Sequence, residues 1–165
     1  MKVLGIDPGT AACGFGIVDA NGGRLTSVEW GWWETSPRDE PAVRLRRIHD
    51  EVAGLIARHE PAAVALEESY VGADARIALS VGQARGAALV ACAVADVPCV
   101  EYPPATVKQA VCGYGRAEKA QMQRMVGAVL GLAEIPRPHH AADALAVAIC
   151  HALAPPLLAI AGGRR

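Results

Sequence analysis

Gly5-Ile6-Asp7-Pro8-Gly9-Thr10 decides the reading of this chain. It follows the apolar pair Val3-Leu4 and puts one carboxylate, Asp7, at the end of a strand. Gly5 lets something large approach the backbone, and Pro8 and Gly9 stop the strand and bend the chain. Cys13 to Ala20 reads as a second strand, and Asn21-Gly22-Gly23 as a hairpin turn into a third, Arg24 to Thr35. An acid in an apolar setting is costly unless it is paired or bound to metal. Asp7 therefore needs partners from elsewhere in the chain.

A second apolar run, Ala62 to Leu66, ends in Glu67-Glu68 and fits a strand buried on both faces. Between the two lies an amphipathic helix that begins at Pro41, with Val43, Leu45, Ile48, Val52, Leu55 and Ile56 at helical spacing, and ends before Pro61. An Ala-rich helix follows from about Asp74 to Asp96, then a short strand from Pro98 to Tyr102. Thr106 to Val111, Ala117 to Leu132 and His139 to Leu153 read as helices, the last with one apolar face of Leu145, Val147, Ala148 and Ile149. Three strands in a meander followed by alternating helices and strands predict an α/β fold, a mixed five-stranded sheet with helices on both faces. The chain reads as one domain over 1–154 and a flexible tail over 155–165.

Composition narrows the class. With 165 residues, 52% hydrophobic and 20% charged, the chain suits one folded domain. A net charge of −1 means that any nucleic-acid contact must rest on local positive charge. The five cysteines are scattered and form no C-x-x-C pair, as in a protein with reduced thiols. No secretory h-region is evident. The longest apolar helix core, Gly86 to Ala95, is about half of the ~20 residues that a membrane span needs. These features predict a cytoplasmic protein with no membrane contact.

The last helix offers His140 and Asp143 three residues apart, on one helical face. Together with Asp7 and Glu67 they would make a dense cluster of negative charge at strand ends, where ligands of open α/β sheets bind. Divalent cations are the simplest neutraliser, and oxygen ligands suit Mg²⁺ or Mn²⁺. Two such ions ~4 Å apart can clamp an in-line phosphoryl displacement. Singly, each residue has an ordinary alternative: Asp7 as a turn former, Glu67 as an exposed strand end, His140-x-x-Asp143 as a capping arrangement. Their joint occurrence at matching topological points favours chemistry.

The stretches G-I-D-P-G-T, A-L-E-E-S-Y, S-V-G-Q-A-R-G-A-A, Y-P-P-A-T-V-K-Q-A-V-C-G-Y-G-R-A-E-K-A-Q-M-Q-R-M-V and A-A-D-A-L-A-V-A-I-C-H resemble the RuvC family of bacterial Holliday junction resolvases. The resemblance runs from residue 2 to about 154. It implies an RNase H-like fold, a homodimer, and an endonuclease with two Mg²⁺ or Mn²⁺ ions per site that resolves four-way junction DNA. Such an enzyme makes paired, symmetric nicks in two like-polarity strands and leaves 5′-phosphate and 3′-hydroxyl ends. The resemblance also implies work in recombination and repair beside the branch-migration proteins RuvA and RuvB.

Asp7, Glu67 and Asp143 match three acids of the family site. His140 stands where many relatives have aspartate, and is expected to act as ligand or general base at one metal, with Mn²⁺ serving at least as well as Mg²⁺. Lys108 and Lys119 match lysines near the DNA backbone and complete the expected catalytic set. Tyr70 matches an aromatic that stacks on an unpaired base. Arg76, Tyr114 and Arg116 are further expected DNA contacts, while Arg85 has the alternative of pairing with an acid at a dimer contact. Ala78, Gly82 and Gly86 recur every fourth residue. They serve either tight packing on the sheet or, as the resemblance favours, a two-fold interface. An actin-like phosphotransferase would need a second domain, and the remaining alternatives are a junction binder without catalysis and a nuclease acting on RNA.

Overall fold

The structure is a computed structural model that describes residues 1–68 and 74–154. Strands β1 (Lys2–Asp7), β2 (Ala12–Asn21) and β3 (Arg24–Glu34) form the meander. Gly22 and Gly23, at φ 57° and 82°, make its tight turn in the left-handed region that glycine tolerates. Helix α1 (Pro41–His59), strand β4 (Ala63–Glu67), helix α2 (Ala75–Val94) and strand β5 (Cys99–Tyr102) follow. Helices α3 (Pro104–Cys112), α4 (Lys119–Leu130) and α5 (His139–Leu153) complete the domain. The predicted elements are all present, with ends displaced by a residue or two. Tyr70 and the tail 155–165 lie outside the described residues.

The five-stranded sheet runs β3-β2-β1-β4-β5, antiparallel from β3 to β1 and parallel from β1 to β5. Alternation along each strand feeds two cores. Leu4, Ile6, Ile17, Val64 and Leu66 pack beneath α1 and α2, where Val52, Leu55, Ala88 and Cys92 meet them. Val3, Val18, Ala65 and Val100 pack on the other face with Val107, Val126 and Leu145, from α3, α4 and α5. Strand β4 is buried from Ala63 to Leu66, as its unbroken apolar run requires.

Helix α5 departs from the expected one-sided pattern. Ala141, Ala142 and every residue from Ala144 to His151 are buried, because the sheet covers one side and α3 and α4 the other. Its one deep polar group, His151, is satisfied by the Tyr102 hydroxyl at 2.8 Å from Nδ1. Three strand glycines set its distance from the sheet. A Cβ at Gly5 would run into the Ala144 carbonyl oxygen, one at Gly14 into the His140 carbonyl, and one at Gly16 into Leu145 Cδ2 at 2.6 Å. The large object that Gly5 admits is thus the α5 backbone. Gly14→Ala is expected to destabilise the fold by about 3 kcal/mol or more, since rigid backbone rather than a flexible side chain must give way. Urea unfolding checks this.

Helix α2 shows two different sides. Ala84, Ala88, Ala91 and Cys92 are buried, and the helix packs on α1. Ile77, Leu79, Leu89, Val90 and Val94 are exposed. Gly82 and Gly86 face open space, so the glycine row does not serve packing on the sheet. The helix is also longer than the apolar core read from the sequence: at 20 residues it is long and apolar enough, by length and composition alone, to cross a membrane. Its Arg85 instead anchors it within the domain, donating from Nε to Glu101 Oε1 of β5 at 2.6 Å and pairing through Nη2 with Glu101 Oε2. The acid that Arg85 meets lies in its own chain.

Candidate active site

Parallel pairing of β1 with β4 sets Ile6 beside Leu66, so Asp7 and Glu67 leave the sheet at adjacent strand ends. The N-terminal turns of α5, seated on Gly14, bring in His140 and Asp143. His140 donates from Nδ1 to Asp7 Oδ2 at 2.7 Å. Lys119, at the start of α4, holds Asp143 Oδ2 at 3.2 Å. A cavity of about 230 Å³ opens beside the Lys119–Asp143 pair, lined by Glu67, Lys108, Lys119 and Asp143, with Pro104, Val107, Met122 and Ala146 as its apolar wall.

The electrostatics are those of carboxylates crowded in a partly dry pocket. Burial pushes Glu67 up to about 7, and the charges of Asp143 and Asp7 add to this against the pull of Lys108 and Lys119. Burial likewise raises Asp143, with Lys119 opposing and Asp7 adding. The hydrogen bond to Asp7 raises His140 and favours the imidazolium. His139, its ring tilted against that of His140 with centroids 4.0 Å apart, is pushed down, first by burial and then by the charge of His140.

Three carboxylates and one imidazole are a donor set suited to a hard divalent cation. Among the described residues, no three His, Cys, Asp or Glu side chains are already gathered tightly enough to hold one. Lys119 pairs with Asp143, and His140 with Asp7.

The loop after Asp7 is held from two other helices. Arg44 of α1 donates from Nη2 to the Thr10 carbonyl at 2.9 Å and from Nε to Thr35 Oγ1 at 2.8 Å, and Thr35 Oγ1 donates to the same carbonyl. The hydroxyls of Thr10 and Ser80 of α2 share a hydrogen bond. Nothing in the spacing of Arg44 or Ser80 along the chain signals this network, because it joins positions far apart in sequence. His139 is likewise not signalled: the first turn of α5 brings its ring against that of His140.

The expected DNA contacts fall into three places. Lys108 and Lys119 face the cavity. Arg76 lines a second hollow with Gly9, Thr10, Ser80 and His140, beside the acids. Tyr114 and Arg116 are exposed on the α3–α4 connection, where the Tyr114 hydroxyl donates to Gln121 Oε1 at 2.9 Å.

The family profile described as Crossover junction endodeoxyribonuclease RuvC matches residues 3–151. A protein of that description from Desulfitobacterium hafniense is 48% identical over 163 residues, 99% of this chain and 99% of its own. The structure of T. thermophilus RuvC in complex with Holliday junction substrate superposes with a TM-score of 0.88 at 43% identity, over 92% of this chain and 93% of that one. The yeast mitochondrial Holliday junction resolvase Ydc2, at 13% identity and a TM-score of 0.68, shares the fold.

Proposed function

This chain belongs to the crossover junction endodeoxyribonuclease RuvC family and is a Holliday junction resolvase with an RNase H-like fold; we propose that Asp7, Glu67, His140 and Asp143 are its catalytic centre and hold two divalent cations, Mg²⁺ or Mn²⁺. The observation that carries this reading is the meeting of Glu67, Asp143, Lys108 and Lys119 around one cavity, with Asp7 at the strand end beside Glu67 and bonded to His140. Bound there, the cations would supply Lewis-acid stabilisation of the attacking and leaving oxygens.

The chain's own residues supply the rest. Asp7 and Glu67, at fixed strand ends, set where a phosphodiester must lie. Lys108 approaches it from α3 and Lys119 from α4, where their ammonium groups would offset the charge developing on the phosphate. Water cleaves the P–O3′ bond, giving a 5′-phosphate and a 3′-hydroxyl. Arg76, Tyr114 and Arg116 would follow the arms of the junction, and Tyr70 would stack on a base at the crossover.

The exposed apolar side of α2, with two glycines that leave room for close approach, fits a second copy of this chain. A homodimer would present two centres to a two-fold symmetric junction and so nick both like-polarity strands. Val90→Glu is expected to shift the protein to monomer in light scattering and to abolish paired nicking, with unchanged circular dichroism. RuvA and RuvB are the partners that this reading carries, and the cytoplasm is its setting.

Four-way junction, duplex and RNA substrates offered with Mg²⁺ or Mn²⁺ test the whole. Symmetric cleavage of the junction alone is expected. Equal cutting of plain duplex, or cutting of RNA, would overturn it.

A further inference from the structure

Trp32 is 48% exposed on β3, the edge strand of the sheet. An exposed aromatic by itself is ordinary. Its register is what sets this one apart. Asp7 pairs with Gly14, and Gly14 pairs with Trp32. Directly paired residues carry their side chains on one face, so Trp32 stands on the face of Asp7. The neighbours agree: Trp30 packs with the α4 and α5 core, whereas Trp33 turns to the opposite core and stacks on Phe15 at 5.5 Å.

Two strand spacings of about 4.8 Å place Trp32 roughly 10 Å from Asp7. Gly14, between them, contributes no side chain, and the first turn of α5 rests there instead. That turn begins with the exposed ring of His139, tilted against His140. Asp7, the two imidazoles and the Trp32 indole thus lie on one face of the sheet. None of this is legible in the linear sequence, where Trp30, Trp32 and Trp33 look alike.

We propose that Trp32 is a stacking platform for the DNA strand leaving the catalytic centre. The proposal rests on the reading of Asp7 as that centre. The partner is a nucleobase: a flat, uncharged π-surface on the same sheet face as the phosphate site suits base stacking, which tolerates any sequence. A duplex rises ~3.4 Å per nucleotide along its axis and an unstacked strand spans more, so 10 Å corresponds to about three nucleotides at most from the phosphate under attack. Trp32 does no chemistry; it sets the direction in which the strand departs.

Junction binding in metal-free buffer, where no strand is cut, reads this out. Trp32→Ala is expected to weaken binding about tenfold, the range of one stacked base, and Trp32→Phe to recover most of the loss. An abasic nucleotide stepped through the strand on either side of the cleaved bond should weaken wild-type binding at one position, within about three nucleotides of it. Trp32→Ala should lose nothing further from that same lesion. Trp32→Ala binding as wild type does, with an unchanged melting temperature, would overturn the proposal; so would an abasic penalty that adds in full to the Trp32→Ala loss at every position. A wild-type protein unable to cut junctions would instead remove the reading of the site, so the two failures are distinguishable.

Discussion

Glu67→Gln is expected to lower junction cleavage by about a thousandfold or more, as the loss of ~4 kcal/mol of transition-state stabilisation from a cation ligand requires. Junction binding in metal-free buffer should stay within a few-fold of wild type. The same variant should melt higher than wild type at pH 8 without metal. The sign follows from proton counts. Folded Glu67 titrates at about 7, against an ordinary value of 4.5. Between those values the folded state holds more protons than the unfolded one, so metal-free stability falls as pH rises through that window. Above it, the full cost of a buried charge beside Asp143 and Asp7 is present, and a neutral glutamine removes it. Calorimetry at pH 5 and pH 8 should show the variant's advantage only at the higher pH. Cation binding needs the ionised form, so wild-type metal affinity should climb over the same range. Equal melting temperatures at pH 8, or cleavage at the wild-type rate, would refute this account of Glu67.

His140→Ala is expected to lower cleavage about ten- to a hundredfold, the usual cost of removing a group that orients a metal ligand. Its signature is again in pH. The bond to Asp7 raises the His140 value in the folded state, so its stabilisation is fully present below the ordinary histidine range and fades as pH passes the raised value. His140→Ala should therefore destabilise the metal-free protein more at pH 6 than at pH 9. His140→Asp replaces a cationic partner of Asp7 with a like charge. It should destabilise the metal-free protein at neutral pH yet raise Mg²⁺ affinity about tenfold, moving metal preference away from Mn²⁺. Titration of each metal against each variant decides the matter, and an alanine variant of full activity would remove His140 from the mechanism.

The sheet and the acids were readable because their signals are local. Asp7 before Pro8-Gly9, and Glu67 after an unbroken apolar run, each declare a strand end within a few residues. Their adjacency then follows from parallel pairing of β1 and β4. The hydrogen bond from His140 to Asp7 was not readable, because the ring's direction depends on how far α5 sinks onto Gly14. The all-round burial of α5 was equally hidden: a helix of Ala, Leu, Val and Ile looks the same whether one neighbour covers it or three. Helix α2 has a similar composition and the opposite fate, with Leu79 and Val94 left in solvent. Composition cannot separate a helix enclosed by its own domain from one that leaves an apolar side exposed.

Where α5 meets the sheet, main chain touches main chain at Gly5 and Gly14, with no layer of side chains to act as a cushion. The spacing between Asp7 on its strand and His140 and Asp143 on the helix is therefore insulated from drift elsewhere in the interior. Exchanges among Leu, Ile and Val around the helix should leave that spacing unchanged, whereas a single added methyl at either contact would alter it at once.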